Sequence, residues 1–181
     1  YNNVANVNSI LKDIKSRKDL FINNEGDVLE AEALAMRAFM HFDLLRMFAP
    51  AYQDNEDRIA IPYVETYERV RYPHLPAKEI MEKVLKDLNE AEKILEASDD
   101  PILKEVICTY SGKNDFMANR QYRFNYWAVN ALKARVYLYM GDVENANHYA
   151  MKVIEESPFT WVSETDVTSG DRIFMPELIC G

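Results

Sequence analysis

The stretch from Glu30 to Pro50, EAEALAMRAFMHFDLLRMFAP, limits what this chain can fold into more than any other, because it is long, helix-prone and apolar on more than one side. At about 100° per residue, Ala31, Leu34, Ala35, Ala38, Phe42 and Leu45 form one continuous stripe, and Met36, Met40 and Met47 form a second flank beside it. A helix with so few positions left for water belongs in the middle of a core. Its polar residues fall on two narrow lines, Glu30, Arg37 and His41 on one and Glu32, Asp43 and Arg46 on the other. The bland reading of Arg37, Arg46 and also Arg135 on such apolar helices is a buried or half-buried ion pair, for example Asp43 with Arg46.

The rest of the chain alternates helical pattern with polar excursions. Val4, Val7, Ile10, Leu11 and Ile14 recur at helical spacing between Tyr1 and about Asp19. Asp27 is the expected N-cap of the central helix, which ends near Ala49 ahead of Pro50. From Tyr52 to Pro76 several prolines interrupt the pattern around a short apolar run, IAIPYV, and about 25 residues exceed an ordinary connection, so this is an ordered excursion or a functional loop. After Pro76, Ile80, Val84, Leu88, Ala91 and Leu95 make a single stripe, with Glu79 to Lys83 and Glu82 to Lys86 as outward i,i+4 pairs. A second excursion runs from Asp99 to Arg123 and contains Pro101, Gly112 and Asn114.

Helical pattern resumes at Asn125. Ala128, Ala131 and Ala134 recur every third residue and allow a close helix approach; Gly141 ends the first helix and Asp142 caps a second, with Ala146, Tyr149, Ala150, Val153 and Ile154 inward. A hairpin of about 34 residues with small residues at the crossing has the design of a tetratricopeptide unit. Ala134, Tyr137, Ala146 and Pro158 suit that pattern, whereas Asn130 and Val153 depart from it. The fold expected is therefore all-α: tetratricopeptide-like helix hairpins with long irregular loop excursions. One function compatible with that alone is an adaptor that binds a protein tail.

Several chemistries are disfavoured. With a formal charge of −9, and with Arg58, Arg69 and Arg71 interleaved with acids, the chain lacks a phosphate-tracking surface, so no nucleic acid is expected as a partner. Cys108 and Cys180 have no zinc-site spacing, and His41, His74 and His148 are scattered, so no metal and no cofactor are called for. Glu30 and Glu32 point to different helix faces and cannot flank one scissile bond, which leaves no catalytic residue to nominate. Both ends read as cut, so the 181 residues are expected to be a fragment of a longer protein.

A family resemblance adds what the chemistry does not. Glu32, Ala33, Leu34, Arg37, Ala38, Phe39, Phe42, Asp43, Leu44, Arg46 and Phe48 stand where the SusD/RagB family of outer-membrane nutrient-binding lipoproteins carries a pattern close to GEALALRAFxxFDLLRxFG. Ile61, Pro62 and Tyr63 resemble its GIPL-type segment. Ala131 through Gly141 resemble its AALLARVYLYxG helix, and Phe174, Glu177 and Ile179 its closing F-x-x-E-x-I stretch. The blocks fall in the family's order, although Ala49 and Pro50 replace a common glycine. The resemblance implies that residues 1–181 form the N-terminal, repeat-containing domain of a non-enzymatic protein on the cell surface. It also implies that such a protein is lipid-anchored in the outer membrane through a segment absent from this chain, and that it delivers oligosaccharide to a SusC-like TonB-dependent transporter. This part would mainly scaffold the fold and dock on the transporter.

Aromatic residues outside the helices are the candidates for stacking on a sugar: Tyr52, Tyr63, Tyr67, Tyr72, Tyr110, Tyr122 and Trp161. Tyr52 and Tyr72, which flank the first excursion, are the two nominated for carbohydrate binding. Trp127 lies inside the hairpin helix and is assigned to the core.

Overall fold

The computed structural model describes residues 2–68, 70–98, 103, 115–168, 170 and 174–180. Arg69, Cys108, Tyr110 and the expected turn residues Pro101, Gly112 and Asn114 lie outside them. Its principal elements are α1 (Asn2–Ile14), α2 (Glu25–Phe48), α3 (Ala77–Ala97), α4 (Tyr126–Met140), α5 (Val143–Glu156) and the short α6 (Glu164–Thr168), with single 3-10 turns between them. Among the described residues there is no strand, only an isolated antiparallel bridge between Ile59 and Pro76. The fold is all-α.

Consecutive helices are neighbours: α1 lies on α2, α2 on α3, α3 on α4 and α4 on α5. The pair α2 and α3 runs antiparallel, since Asn24 at the start of α2 donates to the Ser98 carbonyl at the end of α3 (2.8 Å), while Arg37 meets Asp87 further along. The stripe on α3 (Ile80, Val84, Leu88, Ala91 and Leu95) is fully buried against Ala31, Ala35, Ala38, Phe42 and Leu45 of α2. Those two faces form the centre of the core, as the spacing of apolar residues requires. Trp127 is buried there as well.

The hairpin of α4 and α5 is built by local chemistry. The Asn125 side chain accepts from the Ala128 amide to cap α4, and Asp142 accepts from Asn145 to cap α5. Gly141 takes the left-handed conformation (φ 84°) that ends α4. Tyr137 and Tyr149 then stack across the pair at 5.5 Å.

Several local expectations are corrected. α1 stops at Ile14 rather than near Asp19. Asp27 is not the cap of α2: the helix starts at Glu25, after Asn23 in a left-handed conformation, and Asp27 sits in the first turn, where its carboxylate favours the helix N-terminus and accepts from Lys18 (2.5 Å). The methionine flank of α2 is not buried, for Met36 and Met47 are exposed and Met40 is half-buried. Of the three spaced alanines only Ala128 is buried, and Ile154 faces out. Lys83 turns away from Glu79 to meet Glu65 (2.5 Å). Arg135 is exposed and Arg46 pairs with Asp43 at the surface (3.1 Å), so only Arg37 is a buried arginine of the expected kind.

Residues 174–180 return to the body. Thr160 donates its amide to the Pro176 carbonyl (3.1 Å) and Asn125 its side-chain amide to the Ile179 carbonyl (2.7 Å). Beside them Glu32 receives Arg120 and Arg123, which fixes the turn before α4 against α2.

Candidate functional site

The excursion between α2 and α3 is closed at its base and shaped in its middle. At the base, the Ala60 amide donates to Leu75 O (2.9 Å) and the Leu75 amide to Ile61 O (3.0 Å), so a long connection costs little more than a short loop once it is zipped. Beyond that zipper the chain runs extended, and extended backbone alternates its side chains. Ile61 and Tyr63 are buried, while Pro62, Val64 and Thr66 line an open groove.

What holds this extended segment is a polar cluster beneath it. Arg37 donates Nε and Nη2 to the two oxygens of Asp87 (2.6 and 2.7 Å), and its Nη1 to Asn8 Oδ1 (3.1 Å) and the Glu65 carbonyl (3.3 Å). Tyr63 adds its hydroxyl to Asp87 (2.6 Å). Asn8 donates to the carbonyls of Val64 (2.8 Å) and Thr66 (3.4 Å). The Val64 amide in turn donates to His41 Nε2 (3.0 Å), which makes Nδ1 the protonated nitrogen, donating to the Arg37 carbonyl (2.8 Å). His41 also stacks on Tyr63 at 4.0 Å. Burial opposes the Arg37 charge, but the Asp87 hydrogen bonds outweigh it and hold the guanidinium pKa above its ordinary value. Burial lowers the pKa of His41, which favours the neutral ring that the Val64 amide requires.

Above this cluster, residues 66–68 form a ridge with a groove on each side. One groove, about 560 Å³, lies between Asn2 and Ala5 of α1 and Pro62, Val64, Tyr67 and Tyr72 of the excursion. The other, about 320 Å³, is polar, with Lys12 and Lys15 opposite Glu30 and Glu65. Thr66, Tyr67 and Glu68 line both. Tyr72 is half-buried and its hydroxyl is engaged by Thr66, through the side-chain oxygen and the carbonyl, while Tyr67 is 51% exposed. The first groove thus offers two aromatic rings, a hydroxyl and a carboxylate within one concave surface.

The other sequence candidates fall elsewhere. Tyr52 is 6% exposed, with its ring beside Tyr139 in the core, and presents no face to solvent; that placement assigns it to packing because a stacking residue needs an open ring face. Tyr63 is buried, Tyr122 borders an apolar groove against α1 and α2, and Trp161 stands exposed beside a small apolar cleft with Val153, Phe159 and Ile179. Sequence reasoning named Tyr67 only as one of several and did not single out Thr66 or Asn8. The alternation in Ile61–Thr66 was the available signal for Thr66, and a polar residue on the apolar face of α1 was the signal for Asn8; no local pattern separates Tyr67 from the other loop tyrosines.

Glu30 binds Lys15 (3.4 Å) and Lys18 (2.8 Å), and Glu32 binds Arg120 and Arg123, so the two carboxylates face opposite sides of α2 and share no cleft. Among the described residues no cluster of His, Cys, Asp or Glu has the makings of a metal site, and no helix is long and apolar enough to cross a membrane.

Residues 1–138 match the model of the SusD-like family described as starch-binding and associating with outer membrane. Solved structures share the fold. A SusD superfamily protein from Bacteroides thetaiotaomicron VPI-5482 aligns with a TM-score of 0.73 at 22% identity, over 92% of this chain and 33% of its own length. A SusD-like carbohydrate binding protein from Bacteroides vulgatus ATCC 8482 gives 0.70 at 18% identity, over 94% and 32%. A laminarin binding SusD-like protein gives 0.70 at 18% identity, over 99% and 35%. This chain therefore spans about a third of the length of these structures. No curated protein matches it.

Proposed function

The chain belongs to the SusD-like family, whose model matches residues 1–138 of its 181, and from that premise we propose that it is the N-terminal helical part of a non-enzymatic protein that captures carbohydrate at the outer membrane. The protein then passes its cargo to a SusC-like TonB-dependent transporter and is held at the cell surface by a lipid anchor. The helices scaffold the fold, and part of their surface docks on the transporter.

The observation that carries the reading beyond family membership is the groove beside residues 66–68, in which Tyr67 and Tyr72 flank Thr66 and Glu68. A pyranose presents a flat C–H face and a rim of hydroxyls. An aromatic ring covers the face without stripping water from the hydroxyls, and a carboxylate and a hydroxyl nearby accept and donate to the rim. Tyr72 suits this role because its bonds to Thr66 fix the ring before a ligand arrives, which reduces the ordering cost of binding.

The test is calorimetric titration of the protein with laminarin and with soluble starch, followed by Tyr72→Ala on whichever glycan binds. Saturable binding weakened about tenfold by the substitution is the expected result. Saturable binding that Tyr72→Ala leaves unchanged removes this groove from the account. Binding of neither glycan, together with capture of an unstructured peptide tail, would replace the reading with the adaptor.

A further inference from the structure

The two grooves share one wall. Because Thr66, Tyr67 and Glu68 line both, displacing residues 66–68 reshapes both grooves, of about 560 and 320 Å³, at once. No helix or strand fixes that wall: it lies in the irregular stretch between α2 and α3. From within the excursion Tyr72 bonds Thr66, and from the helices beneath, the side chain that reaches Thr66 is Asn8 of α1, 1% exposed.

We propose that Asn8, which lies in the wall of the smaller groove, is a positioning residue for carbohydrate binding: its amide fixes where the ridge of residues 66–68 stands and so which sugar surface the two grooves accept. The proposal rests on the carbohydrate reading of the groove. Asn8 is suited to the task by having both polarities in one rigid plane. Its Oδ1 faces the Arg37 guanidinium (3.1 Å), which fixes the amide orientation and turns Nδ2 toward Val64 O (2.8 Å), just before the ridge, and Thr66 O (3.4 Å), its first residue. Arg37 is immobilised by Asp87, so a continuous chain of bonds runs from α3 through α2 and α1 to Val64 and, by a longer contact, to Thr66. The neighbouring groups serve different ends: His41 holds the Val64 amide and Lys83 the Glu65 carboxylate, whereas Asn8 shares the Thr66 carbonyl with Tyr72 and ties it to a helix.

Asn8→Asp separates positioning from simple stability. The aspartate keeps an acceptor for Arg37 and gains charge attraction to it, so the helix contact survives. Its second oxygen, however, now faces the Val64 and Thr66 carbonyls where a donor stood, and like partial charges push the ridge outward. Val129→Ala serves as the matched control, because Val129 is a fully buried residue of α4 outside both grooves and its truncation lowers stability without touching the ridge.

Two readouts decide the matter: calorimetric titration with laminarin and soluble starch, and hydrogen exchange of the amides of residues 64–68. For Asn8→Asp the expected result is glycan affinity reduced about tenfold or more, with faster exchange confined to residues 64–68. For Val129→Ala, affinity stays at the wild-type value despite a lower melting temperature. Unchanged exchange at residues 64–68 in Asn8→Asp overturns the proposal whether or not a glycan is bound. Changed exchange with unchanged affinity overturns it too, because the ridge then moves without consequence for binding. If the wild-type protein binds neither glycan, the carbohydrate reading fails, and the positioning role for carbohydrate fails with it; the exchange data still report separately whether Asn8 holds the ridge.

Discussion

Two helix pairs in this chain solve the same packing problem by opposite means. In α4 and α5, Gly141 and Asp142 alone connect the helices, and the pair is defined by caps, a left-handed glycine and a ring stack between residues close in sequence. In α2 and α3 the connection runs through residues 49–76, and the pair is defined by a long apolar interface and by a buried guanidinium and carboxylate 50 positions apart. The difference shows where a binding site has room to form. A short turn leaves nothing to shape, whereas a long connection must dispose of its backbone polar groups, and here it does so on Asn8, Arg37 and His41, leaving its alternate side chains free to line a groove.

The largest way to break this contrast is Asp87→Ala. It leaves the Arg37 charge buried without its main partner and the Tyr63 hydroxyl without its acceptor, and the expected loss is about 3–5 kcal/mol in urea unfolding. The apolar double replacement Arg37→Met with Asp87→Leu should recover most of that loss, because no charge then remains buried. A small loss in the single variant would mean that water replaces the carboxylate and that the α2/α3 pair depends on its apolar stripe alone.

That pair was also where the sequence was most and least informative. Helical periodicity is local, so the stripes of α2 and α3 could be read from spacing, and the residues they named are buried. Which arginine is buried could not be read that way. Arg37 and Arg46 lie on one helix with apolar neighbours, but only Arg37 meets a carboxylate on a different helix, and its partner Asp87 is invisible to a local window. Tyr52 and Tyr72 looked alike as loop tyrosines; Tyr52 is packed because Tyr139, far along the chain, comes to its side. Met36 and Met47 were assigned inward because helix periodicity gives the width of an apolar face and not how much of it finds a partner.

A smaller effect is expected in the other pair. Gly141→Ala places a Cβ at φ 84°, and the added atom would lie 2.9 Å from Gln53 Nε2. The amide end of Gln53 can swing away, so the cost is chiefly the left-handed backbone, about 1 kcal/mol. A drop in melting temperature with no change in exchange at residues 64–68 would show that the two pairs are energetically separate. A change at residues 64–68 would show that the short hairpin, through Gln53, also supports the excursion.

Acid should separate the pairs most gently, and the sign follows from which groups are shifted. Burial depresses the pKa of His41 below the ordinary 6.5, so its contribution is present above that value and is lost as pH falls through the folded pKa. Arg37, Asp87 and Glu65 act on it, with Lys83 on the far side of Glu65, and protonation would remove the acceptor that holds the Val64 amide. Burial raises the pKa of Glu92, but hydrogen bonds from Lys133 on α4 and Lys152 on α5 outweigh it and hold the carboxyl below 4.5, so the bond between α3 and the hairpin weakens only below that pH. One uncompensated proton gives a slope of at most about 1.4 kcal/mol per pH unit. Urea midpoints measured from pH 7.5 to 4.5 should therefore begin to fall below about 6.5, with exchange rising first at residue 64, and His41→Gln should flatten that interval. Faster exchange in α5 before residue 64 would reverse the comparison, making the short hairpin the weaker of the two pairs.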